Sequence, residues 1–454
     1  MSEQAIDFAR SNHKRFLGDL FDYLAIPSVS AQPEHADDVR HAANWLCRHM
    51  QSIGLTASVM ETGGHPIVYA EWRHPDPAAP TVLVYGHYDV QPADPFELWH
   101  SSPFAPVIRD GAIFARGSSD NKGQHMAHVK AVEAYLQSAG SLPVSIKFLI
   151  EGEEEIGGPN IGAFVSANGT MLACDVVMIS DSALLSPDQP TLLYGLRGLL
   201  YFEVEARCAA HDLHSGTYGG NVQNPAMALA QILAKLKNEH GVISVPGFYD
   251  DVRPLDAEER AEIARIPLND TSICDETGAQ TVFGEPGFNV PERMGARPTL
   301  EVNGLWSGYT GSGAKTVLPA VAHAKISCRL VPNQNPTAIY DAVVQAMQQA
   351  APIGVTLAFT LLQNGTRGTL IDRQAPQVQA AARAAQATYG NPPIYTLEGG
   401  SIPIVNDLQE VLGKPIVLLG YGLPGDNLHA PDEHFAIACY EKGIEASIRF
   451  LAEL

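Results

Sequence analysis

The chain has 454 residues, more than one ordinary hydrophobic core accommodates, so we expect two or three domains. Hydrophobic residues make up 45% of the sequence and charged residues 17%, a globular composition that excludes an intrinsically disordered chain. The formal net charge of −21 repels phosphate backbones and anionic lipids, which argues against nucleic acid and membrane partners.

The first part of the chain predicts helices and strands in alternation. Apolar residues at helical spacing predict helices over residues 5–24, 37–53 and 123–138. Short apolar runs between turn residues predict buried strands at 81–85, 145–150 and 176–179. This alternation is typical of an α/β fold in which helices flank a mainly parallel sheet.

The pattern changes near Gly195 and returns to helix and strand from Ala375. In between, strand-like segments near 199–205, 299–303, 322–330 and 355–361 accompany helical segments at 225–238 and 339–350. Two strand pairs around two helices indicate an α+β domain with an antiparallel sheet. We therefore predict a discontinuous larger domain, residues 1–195 and 367–454, interrupted by a smaller domain at residues 196–366.

Five segments carry candidate metal ligands. In the first, His87 and Asp89 follow a predicted strand two residues apart, so their side chains lie on the same side of an extended backbone. One can bind a metal while the other accepts the remaining ring N–H. The alternative for this segment alone is a structural turn histidine.

The other four segments are also ambiguous when each is taken alone. Asp120 stands where a loop enters a helix and could be an ordinary helix N-cap. The acidic run 151–155 follows a strand, and its carboxylates repel one another unless a positive charge lies nearby. Asp181 follows another strand, and His429 lies near the C-terminal end. Solvated polar loops are the alternatives for these three.

The combination is more informative than any single segment. The candidate ligands all fall just after predicted strands or in adjacent loops, where open α/β sheets form their sites; they are His87, Asp120, Glu155, Asp181 and His429. Two histidines and three carboxylates suit two zinc ions with one bridging carboxylate. The sequence has no G-x-S-x-G elbow and no P-loop.

Several motifs occur in a fixed order along nearly the whole chain: GHYDVQP, RGSSDNKGQ, EGEEEIGG, DLHSGTYGG, GSGAKTVLP, RLVPNQNP and EGGSIP. In these motifs the chain resembles the metallopeptidase family of carnosine and other cytosolic dipeptidases. Relatives in that family include carboxypeptidases, aminoacylases and succinyl-diaminopimelate desuccinylases. The last four motifs resemble the dipeptidase branch, whereas the histidine loop DNLHAPDEHF is more similar to the wider family.

The resemblance implies a role for each matched residue in the larger domain. The implied metal ligands are His87 and Asp181 for one zinc ion, Glu155 and His429 for the other, and Asp120 as the bridge. Asp89 would orient His87, and Glu154 would be the general base. In similar enzymes the peptide bond after the bridging aspartate, here Asp120–Asn121, is cis.

The resemblance also implies that the smaller domain is a lid and dimerisation domain of a homodimer. His214 would act in the partner subunit's active site and stabilise the oxyanion. Thr316 and Arg329 would bind the substrate near its carboxylate end. The implied substrate-binding residues are His214, Thr316, Arg329, Glu398, Gly400 and Ser401.

The implied function is hydrolysis of the amide bond of a dipeptide or short peptide. Hydroxide bridging two zinc ions, with manganese or cobalt as alternatives, would attack the scissile carbonyl, and Glu154 would transfer the proton to the leaving amine. Two alternatives stay open. One is an N-acyl-amino-acid deacylase with the same dinuclear site, and the other is a non-catalytic, metal-binding relative.

The six cysteines are scattered without a C-x-x-C pair, so they do not predict a disulfide framework. The N-terminal residues lack the apolar segment of a secretory signal, and no run reaches the roughly 18 apolar residues of a membrane span. We therefore predict a cytoplasmic protein.

Overall fold

The computed structural model describes residues 1–400 and 402–454, which divide into two compact units. The first unit comprises Met1–Tyr194, Ile371–Tyr395 and Pro403–Leu454, and the second comprises Gly195–Leu370 and Thr396–Ile402. All six cysteines are free thiols. Among the residues described, none of the helices combines the length and apolar character needed to cross a membrane.

The helices and strands are numbered in chain order. The helices are α1 (Ser2–Ser11), α2 (His13–Leu24), α3 (Ala36–Ser52), α4 (Lys122–Ala139), α5 (Ile161–Ala167), α6 (Gly169–Leu172), α7 (Ser215–Tyr218), α8 (Pro225–Leu233), α9 (Ala257–Ile263), α10 (Asp270–Thr277), α11 (Val290–Gly295), α12 (Pro336–Ala350), α13 (Pro376–Tyr389), α14 (Pro403–Leu412) and α15 (Ile437–Glu453). The strands are β1 (Thr56–Met60), β2 (Ile67–Trp72), β3 (Thr81–His87), β4 (Val107–Arg109), β5 (Ala112–Phe114), β6 (Ser145–Glu151), β7 (Val176–Ile179), β8 (Thr191–Leu196), β9 (Gly198–Arg207), β10 (Leu213–His214), β11 (Thr299–Ser307), β12 (Val317–Leu318), β13 (Val321–Leu330), β14 (Thr356–Thr366), β15 (Thr369–Leu370), β16 (Ile394–Glu398), β17 (Ile416–Leu418) and β18 (His434–Ala436).

The first unit is built on a mixed sheet in the order β1-β2-β6-β3-β7-β17-β8. Its four central strands, β6, β3, β7 and β17, are parallel, and the strands towards both edges pair antiparallel. Because β7 is buried along its whole length, its sequence is continuously apolar. Helices α3, α4 and α13 pack against strands of this sheet. The predicted α/β fold with a mainly parallel sheet and flanking helices is confirmed.

The predicted single helix over residues 5–24 is wrong in one respect, since the segment forms two helices, α1 and α2. They separate at Asn12, whose φ of −107° and ψ of 10° leave the helical region. The Asn12 side chain donates a hydrogen bond to the carbonyl oxygen of Phe8 at 2.9 Å. Asparagine competes in this way with the helical hydrogen-bond ladder, which local apolar spacing does not reveal.

The second unit contains a four-stranded antiparallel sheet in the order β11-β13-β9-β14. Buried and partly buried residues alternate along β9 and β13, so one face of the sheet carries the apolar side chains. Helices α8 and α12 pack against these strands and complete a core that includes Phe202, Ile326 and Val343.

The division between the units differs from the predicted domain boundaries at three places. Gly195 and residues 367–370 and 396–402, which the sequence assigns to the larger domain, belong to the second unit. Strand β15 pairs with Gly195 and Leu196, and the amide of Arg197 donates to the carbonyl oxygens of Glu398 and Gly400. These bonds join segments about 200 residues apart in the chain, which local composition does not indicate.

Candidate metal centre

The carboxyl ends of three parallel strands bring candidate ligands to one edge of the first unit's sheet. Strands β6 and β7 flank β3, and His87 is the last residue of β3. Glu154 and Glu155 follow the end of β6, and Asp181 follows the end of β7. Ligand sites of open α/β sheets form at this edge.

Asp120 connects the two histidines of the centre. Its Oδ1 lies 3.0 Å from Nε2 of His87, and its Oδ2 lies 3.0 Å from Nε2 of His429. On one side, Asp181 Oδ2 lies 3.9 Å from His87 Nε2, and on the other, Glu155 Oε2 lies 3.3 Å from His429 Nε2. The structure therefore brings all five candidate ligands together.

The five residues form two groups that share Asp120: His87, Asp120 and Asp181, and Asp120, Glu155 and His429. Within each group, one potential ligand atom per residue lies within 4.8 Å of the others. Two groups of nitrogen and carboxylate donors joined by one carboxylate suit a pair of divalent ions such as zinc, manganese or cobalt.

The electrostatics of the centre also fit bound cations. Burial, followed by the charge of Asp120, raises the pKa of Glu155 to about 10 and that of Asp181 to about 6. Crowded carboxylates resist ionisation together, so the protein alone leaves unbalanced negative charge there. Divalent cations would relieve that repulsion, and the residues present therefore fit a dinuclear metal group.

Asp89 links the loop after β3 to the loop after β6. Its Oδ1 accepts the backbone amide of Glu154 at 3.2 Å, and its Oδ2 accepts that of Glu155 at 3.1 Å. The hydroxyl of Ser30 also donates to Oδ2, at 2.6 Å. Nδ1 of His87 lies 3.0 Å from the main-chain oxygen of Asp89, whereas the Asp89 carboxylate lies 3.5 Å away. The main-chain oxygen thus orients the ring so that Nε2 faces Asp120.

Two amide side chains position carboxylates of the centre. Asn121, which follows a cis peptide bond after Asp120, donates from Nδ2 to Asp181 Oδ1 at 2.9 Å and to the carbonyl of Ser180 at 2.6 Å. Gln91 donates from Nε2 to Glu155 Oε2 at 2.8 Å. The sequence alone does not indicate a role for either amide. Both lie inside the motifs GHYDVQP and RGSSDNKGQ, which is the signal that could have found them.

Glu154 lies beside the two ligand groups in a short 3₁₀ turn, Glu154–Ile156, that follows β6. Burial raises the pKa of its carboxyl to about 7, and the nearby His87 opposes this rise. Glu154 is thus a partly buried carboxyl in the same turn as Glu155.

His429 lies in a loop with unusual backbone geometry and has a side chain that is 54% exposed. Asn427, His429 and Asp432 have φ values of 57°, 60° and 58°, in the left-handed region. Such residues cost on the order of 1–3 kcal/mol each and persist only when their surroundings determine them. One restraint is the hydroxyl of Ser119, which donates to Asp426 Oδ2 at 2.7 Å.

The remaining predicted site residues lie in the second unit. His214 ends β10 and pairs with Val317, and the carbonyl oxygen of the adjacent Thr316 accepts the amide of Ser215 at 3.1 Å. The structure thus places His214 and Thr316 in neighbouring strand segments. Nδ1 of His214 accepts the amide of Gly216 at 3.1 Å, and the residue is exposed.

A second group of these residues surrounds Arg197. Its guanidinium donates to the carbonyl of Gly399 at 3.2 Å, in the same turn as Glu398 and Gly400. Burial, followed by the charge of Arg329, lowers the pKa of Arg197 to about 10. Ser401, the last predicted substrate-binding residue, lies outside the described residues.

Comparison with known proteins shows the family to which the chain belongs. Residues 83–453 match the family described as Peptidase family M20/M25/M40. The chain is 29% identical to the Beta-Ala-His dipeptidase of Homo sapiens, over 100% of this chain and 92% of that protein. It is 32% identical to a Cys-Gly metallodipeptidase of Saccharomyces cerevisiae, over 96% of this chain and 95% of that protein. The crystal structure of the M20 family metallo-carboxypeptidase Sso-CP2 from Sulfolobus solfataricus superposes with a TM-score of 0.83 at 33% identity, covering 96% of this chain and 98% of that one. Because both the family match and these relatives extend over most or all of its length, the chain belongs to peptidase family M20/M25/M40.

Proposed function

We propose that the chain is a dinuclear metallo-dipeptidase that hydrolyses the amide bond of dipeptides or short peptides. The observation that carries this proposal is Asp120, whose two carboxylate oxygens each lie 3.0 Å from a different histidine. Relatives named Beta-Ala-His dipeptidase and Cys-Gly metallodipeptidase, which match the chain over 96% or more of its length, support the dipeptide substrate class.

Two zinc ions are the proposed cofactor, with manganese or cobalt as alternatives. His87, Asp120 and Asp181 would hold one ion, and Asp120, Glu155 and His429 would hold the other. Bound divalent ions of this kind lower the pKa of water and polarise a carbonyl oxygen.

Glu154 is the proposed general base. Its carboxylate accepts a proton from the attacking water and returns it to the leaving nitrogen, a role that requires a carboxyl next to the ligands but not among them. Asp89 fixes the backbone of the turn by accepting the amides of Glu154 and Glu155. This bond pattern supports Asp89 as the residue that positions the base and the adjacent ligand.

The second unit supplies the proposed substrate-binding residues. Arg329 would pair with the substrate carboxylate through parallel N–H donors. Thr316 and the turn containing Glu398, Gly400 and Ser401 would contact the rest of the substrate. The bonds from Arg197 to the carbonyl oxygens of this turn support a preformed binding surface.

A homodimer formed through the second unit completes the proposal. Strand β11 forms one edge of the antiparallel sheet, and Val302, Leu305 and Trp306 on it are exposed. An exposed apolar edge strand can add a strand from another chain, and a second copy would present the same edge. In this dimer, His214 of one subunit would act at the metal centre of the other.

Metal analysis combined with a substrate comparison tests the function. Active protein is expected to contain two divalent ions per chain, to lose activity with excess chelator and to regain it with zinc, manganese or cobalt. It is expected to hydrolyse dipeptides faster than N-acetyl amino acids. Active protein without bound transition metal would contradict the proposal, and a clear preference for N-acetyl amino acids would favour the deacylase alternative.

A further inference from the structure

Glu433 is a buried carboxylate to which the proposed reaction assigns no role. It is 0% exposed, and a buried carboxylate is tolerated only where hydrogen-bond donors or opposite charges compensate for lost hydration. Arg116, itself 1% exposed, donates from Nη1 to Oε2 of Glu433 at 2.9 Å. In the sequence, Glu433 lies in the same loop as His429 and carries no signal of its own.

The remaining donors to Glu433 come from the loop that leads into Asp120. Its Oε2 also accepts the backbone amide of Gly117 at 2.8 Å, and its Oε1 accepts the amides of Ser119 and Asp120, both at 3.0 Å. Each carboxylate oxygen thus receives two N–H donors, which fills its acceptor capacity. One of these donors belongs to the residue that contacts both histidines of the centre.

Glu433 also anchors the loop that carries His429. It lies four residues after His429, and its main-chain oxygen accepts the amide of Ala115 at 3.1 Å. The left-handed residues of this loop persist only if its ends are held in place. A single buried residue therefore restrains the backbone of Asp120 and the loop of His429 relative to each other.

The two ligand groups depend on this restraint to different degrees. His87 belongs to β3 and bonds to the main chain of Asp89, and Asp181 is held by Asn121. His429 instead lies in a loop, its side chain is half exposed, and its ring contacts Asp120, whose own backbone is held by Glu433. Loosening the loop should therefore disturb the group of Asp120, Glu155 and His429 more than the other group.

We propose that Glu433 is a positioning residue of the metal centre, which fixes Asp120 relative to His429 and so sets the affinity of the ion held by Asp120, Glu155 and His429. The inference rests on the proposed two-metal function. Glu433 itself belongs to neither ligand group and is not one of the proposed substrate-binding residues.

The test is a Co²⁺ titration of metal-free protein, followed by visible absorption, on wild type and on Glu433→Gln. In either orientation, the amide NH₂ of glutamine would face two N–H donors, so the substitution breaks two of the four hydrogen bonds and removes the charge while preserving size. We expect the second equivalent of Co²⁺ to bind roughly 10- to 100-fold more weakly, the loss typical of residues that support metal ligands, and the first to change less. At saturating Co²⁺, kcat should fall more than KM changes.

Glu133→Gln is the matched control. Glu133 is also buried and paired, with Lys130 at 2.8 Å and Arg15 at 2.5 Å, but it lies roughly 16 Å along α4 from the metal-binding end of that helix. This variant should lower thermal stability and leave the Co²⁺ titration unchanged. Equal weakening in Glu133→Gln and Glu433→Gln would overturn the inference, because the loss would then reflect general destabilisation.

If the titration of Glu433→Gln is unchanged, the positioning role of Glu433 is overturned. The proposed function is not affected by that result, because wild-type protein would still bind two ions. Wild-type protein that takes up only one equivalent would refute the proposed function and this inference with it. If circular dichroism shows that Glu433→Gln does not fold, Glu433→Asp decides by the same criterion. It keeps the charge but is one methylene shorter, so weakened second-ion binding supports the positioning role and unchanged binding overturns it.

Discussion

The carboxylate of Asp89 accepts the backbone amide of Glu155 at 3.1 Å and thereby joins the loop after β3 to the loop after β6. The same carboxylate accepts the amide of Glu154 on its other oxygen. The separation between the proposed general base, the adjacent ligand and His87 therefore depends on one buried side chain.

Replacing Asp89 by asparagine should impair both metal binding and turnover. In Asp89→Asn, the NH₂ group of the introduced side chain would face one of the two backbone amides, so one bond becomes a clash between donors. We expect metal affinity or activity to fall roughly 10- to 100-fold. Ser30→Ala is the control. It removes one hydroxyl donor to Asp89 and leaves intact the hydrogen bonds that Asp89 accepts from the two backbone amides. Normal zinc affinity and turnover in Asp89→Asn would contradict this role.

Glutamine substitutions of Glu154 and Glu155 should have different effects, although the residues are adjacent. Glu154→Gln should retain bound metal and lose turnover by about 10²–10⁴-fold, the usual contribution of general acid–base catalysis. Glu155→Gln should instead lower metal affinity, because it changes a carboxylate that lies 3.3 Å from His429 Nε2. Metal content and kcat measured on both variants check the assignment. If the two variants behave alike, the roles are wrongly assigned.

Subunit complementation should reveal whether His214 acts across a dimer. His214→Ala and Glu154→Gln chains are each expected to be inactive alone. After mixing under conditions that allow subunit exchange, a mixed dimer should regain one working site, which pairs an intact Glu154 with the intact His214 of the other chain. A closed twofold dimer places each His214 equivalently, so one site per mixed dimer is the expected recovery.

The control for this experiment is each variant incubated alone under the same exchange conditions, which should remain inactive. Native mass spectrometry establishes that mixed dimers have formed. Mixed dimers without recovered activity would show that His214 works within its own chain or has no catalytic part.

His49 should make stability depend on pH. Burial, followed by the charge of Lys130, lowers the pKa of His49 to about 4 from an ordinary value of 6.5. Between these values the unfolded chain binds more protons than the folded protein, so the free energy of unfolding falls as the pH drops from 6.5 towards 4. Above pH 6.5, neutral His49 makes its full contribution to the free energy of unfolding.

Urea unfolding of wild type and His49→Gln at pH 7 and pH 4.5 measures this contribution. Glutamine does not titrate, and its carbonyl oxygen can accept from Lys130, whose Nζ lies 2.8 Å from Nε2 of His49. The stability advantage of wild type over the variant should shrink at pH 4.5 by no more than about 2–3 kcal/mol. Effects of metal release occur in both proteins and cancel in the difference. An advantage that does not change with pH would contradict the lowered pKa.

The sequence by itself determined the α/β fold class and the segments that carry the chemistry. Strand β7 is continuously apolar because it is buried along its whole length, so its local pattern identifies it without knowledge of its neighbours. His87 stands at the end of a similar apolar run, so the sequence alone places it at the end of a strand. The parallel arrangement then implies that residues after neighbouring strands meet at one edge of the sheet.

The tertiary structure decided which of these residues touch one another. Asp120 and His429 are 309 residues apart in the chain, and only the packing of their loops brings Oδ2 and Nε2 to 3.0 Å. Glu433 likewise accepts four hydrogen bonds from a distant segment, and Asp89 accepts hydrogen bonds from two backbone amides of another loop. Local spacing determines backbone conformation over a few residues, whereas these contacts arise from the burial of whole elements against each other. The same physical reason explains why the break at Asn12 and the place of residues 396–402 in the second unit appear only in the folded chain.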